Sequence, residues 1–156
     1  MSNPLLTPLV SSKQTLGSGL GAWQRLATFY ARFALGAAFL SAVAARFGFW
    51  GENTGPDSFK HFIEYTGEVN SFMPAFTVPF LAWAATVAET CLGIALVLGI
   101  WPRVVAPAAA GVLALFGTAM AISFGLKSPL DYSVFSASAA ALLLATCQSR
   151  RAGGNS

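Results

Sequence analysis

The sequence predicts an all-α fold, a bundle of four transmembrane helices with an amphipathic helix in the first extracytoplasmic loop. Three observations lead there. Of 156 residues, 55% are hydrophobic and 10% charged, whereas roughly a quarter of positions are charged in soluble domains. The mean hydropathy is +0.63. The charges gather between long apolar runs, the pattern by which membrane spans are recognised.

The first run extends from about Gln24 to Phe47, bracketed by Trp23 and Trp50 as interfacial anchors. At ~1.5 Å per residue it is long enough to cross a hydrocarbon core of roughly 30 Å. The second extends from about Ala75 to Ile100, with Pro79 in its early turns and Trp101-Pro102 closing it, and the third from about Val104 to Leu126. Lys127-Ser128-Pro129-Leu130-Asp131 forms a tight break before a fourth run from Tyr132 to Cys147, which is short for a span and is expected to draw on the break or to continue to Ser149. Between the first two runs, Phe59, Phe62, Ile63, Thr66 and Val69 recur at helical spacing opposite Lys60, Glu64 and Glu68. This predicts an amphipathic helix lying along the membrane surface or over the bundle mouth.

These elements divide the chain into a flexible N-terminal tail (1–22), a membrane domain (23–149) and a short basic tail (150–156). Four crossings place both termini on one side. Lys13, Arg25, Arg103, Arg150 and Arg151 fall on that side, against Arg46, Lys60 and Lys127 on the other. The positive-inside rule therefore makes both termini cytoplasmic.

The net charge of +3 is spread without a dense basic patch or an aromatic-interleaved stripe, which argues against nucleic acid. Cys91 and Cys147 form no CxxC pair, the one histidine, His61, reads as a surface residue, and no glycine fingerprint follows a strand. The expectation is a protein with no catalytic residues, metal or bound cofactor of its own. Small residues four apart, Ala37-Ser41-Ala45, Gly117-Ala121-Gly125 and Ala137-Ala141-Ala145, offer stripes for close helix packing.

Two charges lie inside spans. Arg32 is roughly nine residues into the first and Glu89 roughly twelve from the end of the second, so antiparallel spans with shared boundaries bring them to similar depth. The expectation is a buried Arg32–Glu89 pair, either a ligand-anchoring or proton-responsive site or a bridge fixing helix register. Arg46, on nearly the same face as Arg32, is expected at the outer interface with Lys127, Asp131 and Tyr132. Interfacial snorkelling by Arg46 and helix capping by Asp131 are the favoured account of such a cluster, ahead of a binding role.

The run Arg32-Phe33-Ala34-Leu35-Gly36-Ala37-Ala38-Phe39-Leu40 resembles the opening helix of the DoxX-like family. Ala88-Glu89-Thr90-Cys91-Leu92-Gly93, continuing through Leu98-Gly99 to Arg103, resembles its glutamate helix. Gly125 to Ser136 is similar to a subgroup of the family. The resemblance covers about Ala31 to Ala145 and implies a multi-pass protein of the bacterial inner membrane, with Arg32 and Glu89 as its buried polar pair. It further implies a noncatalytic accessory subunit of a quinone-linked membrane redox complex, with a diffusible quinone as the available cofactor and oxidoreductase subunits or a second copy as partners in the bilayer. A small-molecule or lipid binder or transporter using the polar pair is the other role left open, because one fold hosts several functions.

Overall fold

The computed structural model describes the backbone of residues 7–51 and 54–153 and the side chains of residues 21–51 and 54–147. Among the described residues there are six α-helices and no strand: α1 (Thr7–Arg46), α2 (Ser58–Val69), α3 (Val78–Leu98), α4 (Pro102–Phe124), α5 (Lys127–Asp131) and α6 (Val134–Gly153). A 3₁₀ turn, Ala75–Thr77, leads into α3.

Among the described residues, three helical stretches are long and apolar enough to cross a membrane: Gly21–Arg46, Ala75–Leu98 and Pro102–Phe124. The fourth apolar run lies in α6, where Val134–Cys147 is shorter. The chain does not enter α6 directly from α4. It breaks at Gly125, folds α5 against the end of the bundle with Pro129 fully buried, and turns through Ser133 at φ +55°. The N-terminal segment expected as a tail contributes backbone to α1 from Thr7 onward, and residues 1–6 lie outside the described residues. The basic C-terminal side chains of Arg150 and Arg151 also lie outside them, although the α6 backbone continues to Gly153.

Helix packing is uneven. α4 lies most extensively on α6, and α1 on α3, while α3 meets α4 and α1 meets α6 more lightly. Each close pair rests on glycine. A Cβ on Gly36 would lie 2.7 Å from Val97 Cγ2 and 2.9 Å from the Gly93 carbonyl oxygen, and one on Gly117 would lie 2.7 Å from the Phe135 ring. Such approach supplies the van der Waals contact that must hold helices together where lipid removes the hydrophobic drive between them. Leu35, Phe39, Leu96, Ala106, Ala109, Ala141 and Leu144 form the core between the pairs. Of the expected stripes, Ala137-Ala141-Ala145 faces this core. On α1, by contrast, Ala37 is exposed and the contact passes through Gly36.

The α2 helix forms where the spacing places it, with Thr66 and Val69 buried, Phe59, Phe62 and Ile63 half-buried, and Lys60, Glu64 and Glu68 exposed. It ties three elements together. Phe59 packs on Phe47 at the end of α1, with ring centroids 5.6 Å apart, and on Trp83 of α3 at 4.5 Å. At its other end, the Ser123 hydroxyl of α4 donates to the Val69 carbonyl at 2.6 Å.

Candidate functional site

The register of α1 against α3 decides which charges meet. Gly36 abuts Gly93 and Val97, and Leu40 abuts Gly93, so the helices run antiparallel with Arg32 level with the C-terminal end of α3. Arg46 is then level with Thr86 and Glu89. The Arg46 Nη2 donates to Glu89 Oε1 at 2.6 Å, with side-chain exposures of 9% and 2%. Its Nη1 donates to the Thr86 hydroxyl at 3.1 Å, and that hydroxyl donates to the Ala82 carbonyl at 2.8 Å. The guanidinium lies 3.9 Å from the centroid of the Phe62 ring, a cation–π contact that strengthens where water is excluded.

The expected Arg32–Glu89 pair is therefore replaced by Arg46–Glu89. Arg32 lies opposite Leu96 to Gly99, seven to ten residues from Glu89, which at 1.5 Å per residue is about 10–15 Å. There its Nε donates to the Leu96 carbonyl at 3.1 Å, and Nη2 reaches the Val97 carbonyl at 3.5 Å. These are carbonyls of the last helical turn, which lack intrahelical partners and favour a cation. Gly99 closes that turn at φ +73°, a left-handed conformation that favours glycine, with the Arg32 guanidinium packed against it. The assumption of shared span boundaries fails because α1 ends at Arg46, about two turns inside the start of α3, and α2 fills the step.

The expected outer cluster divides in the same way. Lys127 and Asp131 pair with each other across one turn of α5, both exposed, and Tyr132 is exposed beside them. Arg46 is not among them, since its guanidinium turns inward. Burial, then Tyr132, then Glu68, hold the Tyr65 phenol above its ordinary 10.0. His61 is exposed on α2 and lies 3.4 Å from Glu64. Cys91 and Cys147 are free thiols.

Two cavities flank the Arg46–Glu89 pair, and neither is foreshadowed by the sequence. The larger, of about 500 Å³, lies beneath α2 between α3 and α4, lined by Phe62, Tyr65, Val69, Ala84, Leu115 and Phe116 among others, with Arg46 at its edge. The smaller, of about 210 Å³, lies among α1, α3, α4 and α6 and is bordered by Glu89, Arg46, Phe39 and Phe116. Both lie where neighbouring helices pack lightly. Arg46 and Phe116 border both cavities.

Glu89 Oε2 is buried without a hydrogen-bond partner among the described residues. A guanidinium offers five N–H donors, of which Glu89 and Thr86 take one each. The site thus combines spare donors and a spare acceptor beside two cavities, with balanced charge overall.

No curated protein and no solved structure matches the chain. The DoxX family model matches residues 27–122, which include Arg32, Arg46, Glu89 and both sides of the α1–α3 contact. That match covers more than half of the sequence, and with three helices apolar and long enough to cross a bilayer, the chain is a membrane protein of the DoxX family.

Proposed function

We propose that the protein is a four-span, cofactor-free subunit of a membrane redox complex that receives a diffusible quinone in the cavity beneath α2. The observation that carries this reading is that cavity: about 500 Å³, apolar almost throughout, with Arg46 at its edge. A quinone has an apolar ring and chain and neutral carbonyl acceptors. The spare Arg46 donors match the carbonyls, and the walls match the ring. Exposed Leu115 and Ile122 border the cavity on α4 and suit entry from the lipid. Electrons come from a partner's cofactor, and this chain's residues bind and orient.

The fourth crossing in this reading is α6, whose 20-residue backbone from Val134 to Gly153 spans about 30 Å at ~1.5 Å per residue. The five basic residues on the terminal side against three on the other support cytoplasmic termini in a bacterial inner membrane. An alkaline-phosphatase fusion near Asp57 is expected to be active and one after Ser156 inactive; the reverse pattern would invert the topology.

A short-chain quinone titrated into the protein in nanodiscs should bind saturably. Ala84→Trp, at an exposed position lining the cavity, should weaken binding at least about tenfold by filling the space, a loss of ~1.4 kcal/mol. Absence of saturable quinone binding overturns the reading. The same apolar walls support a lipid carrier as a second reading, which displacement of bound quinone by phospholipid and purification without redox subunits would favour.

A further inference from the structure

The smaller cavity is bordered by a carboxylate that the lining of the cavity beneath α2 lacks. Its two ionisable lining groups, Glu89 and Arg46, neutralise each other, so a charged ligand would bring an unpaired charge against apolar walls. Glu89 gives one carboxylate oxygen to Arg46 and leaves the other, buried, with no partner among the described residues. A buried acceptor in that state costs free energy until something donates to it. The remaining walls, including Phe39, Phe116, Ala42 and Ala137, are apolar. At about 210 Å³ the space exceeds the roughly 150 Å³ that admits a benzene ring.

We infer that this cavity is a second binding site, for a neutral, single-ring molecule bearing a hydroxyl donor, of the phenol class. The ring fills the space beside Phe39 and Phe116, and the hydroxyl donates to Glu89 Oε2. Neutrality, one donor and an aromatic body each follow from a separate feature of the wall. Ala38 and Ala42 border the cavity and are exposed on α1, which gives a small apolar molecule a lateral entrance. The site stands whether or not the cavity beneath α2 takes a quinone.

The test uses the full chain in nanodiscs and fluorine NMR of two probes, p-fluorophenol and p-fluoroanisole, in the second of which a methyl group replaces the hydroxyl hydrogen, with empty nanodiscs subtracted. The phenol should bind saturably and at least about tenfold more tightly than the ether, as expected for a hydrogen bond to a charged acceptor. Glu89→Gln should abolish that preference, because its carbonyl serves Arg46 and its amide presents a donor to the cavity. Ala42→Leu, at an exposed position that tolerates bulk, should weaken the phenol at least about tenfold and tests the site even if Glu89→Gln fails to fold. Ala84→Trp, in the other cavity, should leave the phenol unchanged. Equal affinity of the two probes, indifference to Ala42→Leu, or loss of the phenol in Ala84→Trp would each overturn the inference.

Discussion

Arg32 and Arg46 stand on nearly the same face of α1, about four turns apart, and the two ends of the α1–α3 pair use them differently. At one end the partner helix is finishing, so Arg32 finds unpaired carbonyls, stays partly exposed and needs no counterion. At the other end the partner helix continues past it, its carbonyls are occupied, and Arg46 is enclosed by α2. An enclosed cation requires an anion, and Glu89 supplies it. The role of an intramembrane arginine thus depends less on its depth in its own helix than on where the neighbouring helix stops.

The largest effect expected from this contrast is at the enclosed end. Arg46→Leu alone strands the Glu89 carboxylate and should lower stability by ~3–5 kcal/mol, whereas Arg46→Leu with Glu89→Leu leaves nothing unpaired and should regain much of it. Thermal denaturation in detergent supplies the double-mutant cycle. Coupling between positions 46 and 89 should exceed ~1 kcal/mol, while the same cycle for 32 and 89 should be additive within about 0.5 kcal/mol. The opposite ranking would reverse the contrast.

Next is the hinge between the two ends. Gly36→Ala drives a methyl group into Val97 and the Gly93 carbonyl and should cost ~1–3 kcal/mol, as overpacking does. Because it pushes α1 from α3 between both arginines, it should also reduce the 46–89 coupling. An unchanged coupling would show that the pair does not depend on that close approach.

The smallest effect is at the open end. Arg32→Ala removes a cation from the α3 C-terminus and should cost ~0.3–1 kcal/mol, with Arg32→Lys retaining part of it. A loss as large as that of Arg46→Leu would mean that Arg32, too, answers a buried charge.

Much of the fold was legible because periodicity and composition report burial directly. The α2 stripe from Phe59 to Val69, the break at Lys127 to Asp131 and the apolar runs of α1, α3 and α4 all follow from residue type and spacing. Glu89 was legible as a buried charge for the same reason. Its partner was not, because pairing depends on the stagger of two helices and hydropathy gives no stagger. The available signal was glycine: aligning Gly36 with Gly93 in antiparallel sense places Arg46 level with Trp83, one turn from Thr86, and Arg32 level with Val97, far from Glu89. The cavities were illegible altogether, since they arise from how lightly α3 meets α4 and α1 meets α6.

The Arg46–Glu89 contact also has a history within synthesis. The two residues are 43 positions apart, so at about 5–20 residues per second the ribosome delivers the carboxylate roughly 2–9 s after the guanidinium. During that interval Arg46 has no counterion. Its place as the last residue of α1 lets its long side chain extend to the aqueous interface in the meantime. The enclosure is completed only after α3 is inserted, so nascent chains halted between the two helices should leave Arg46 open to water-borne reagents.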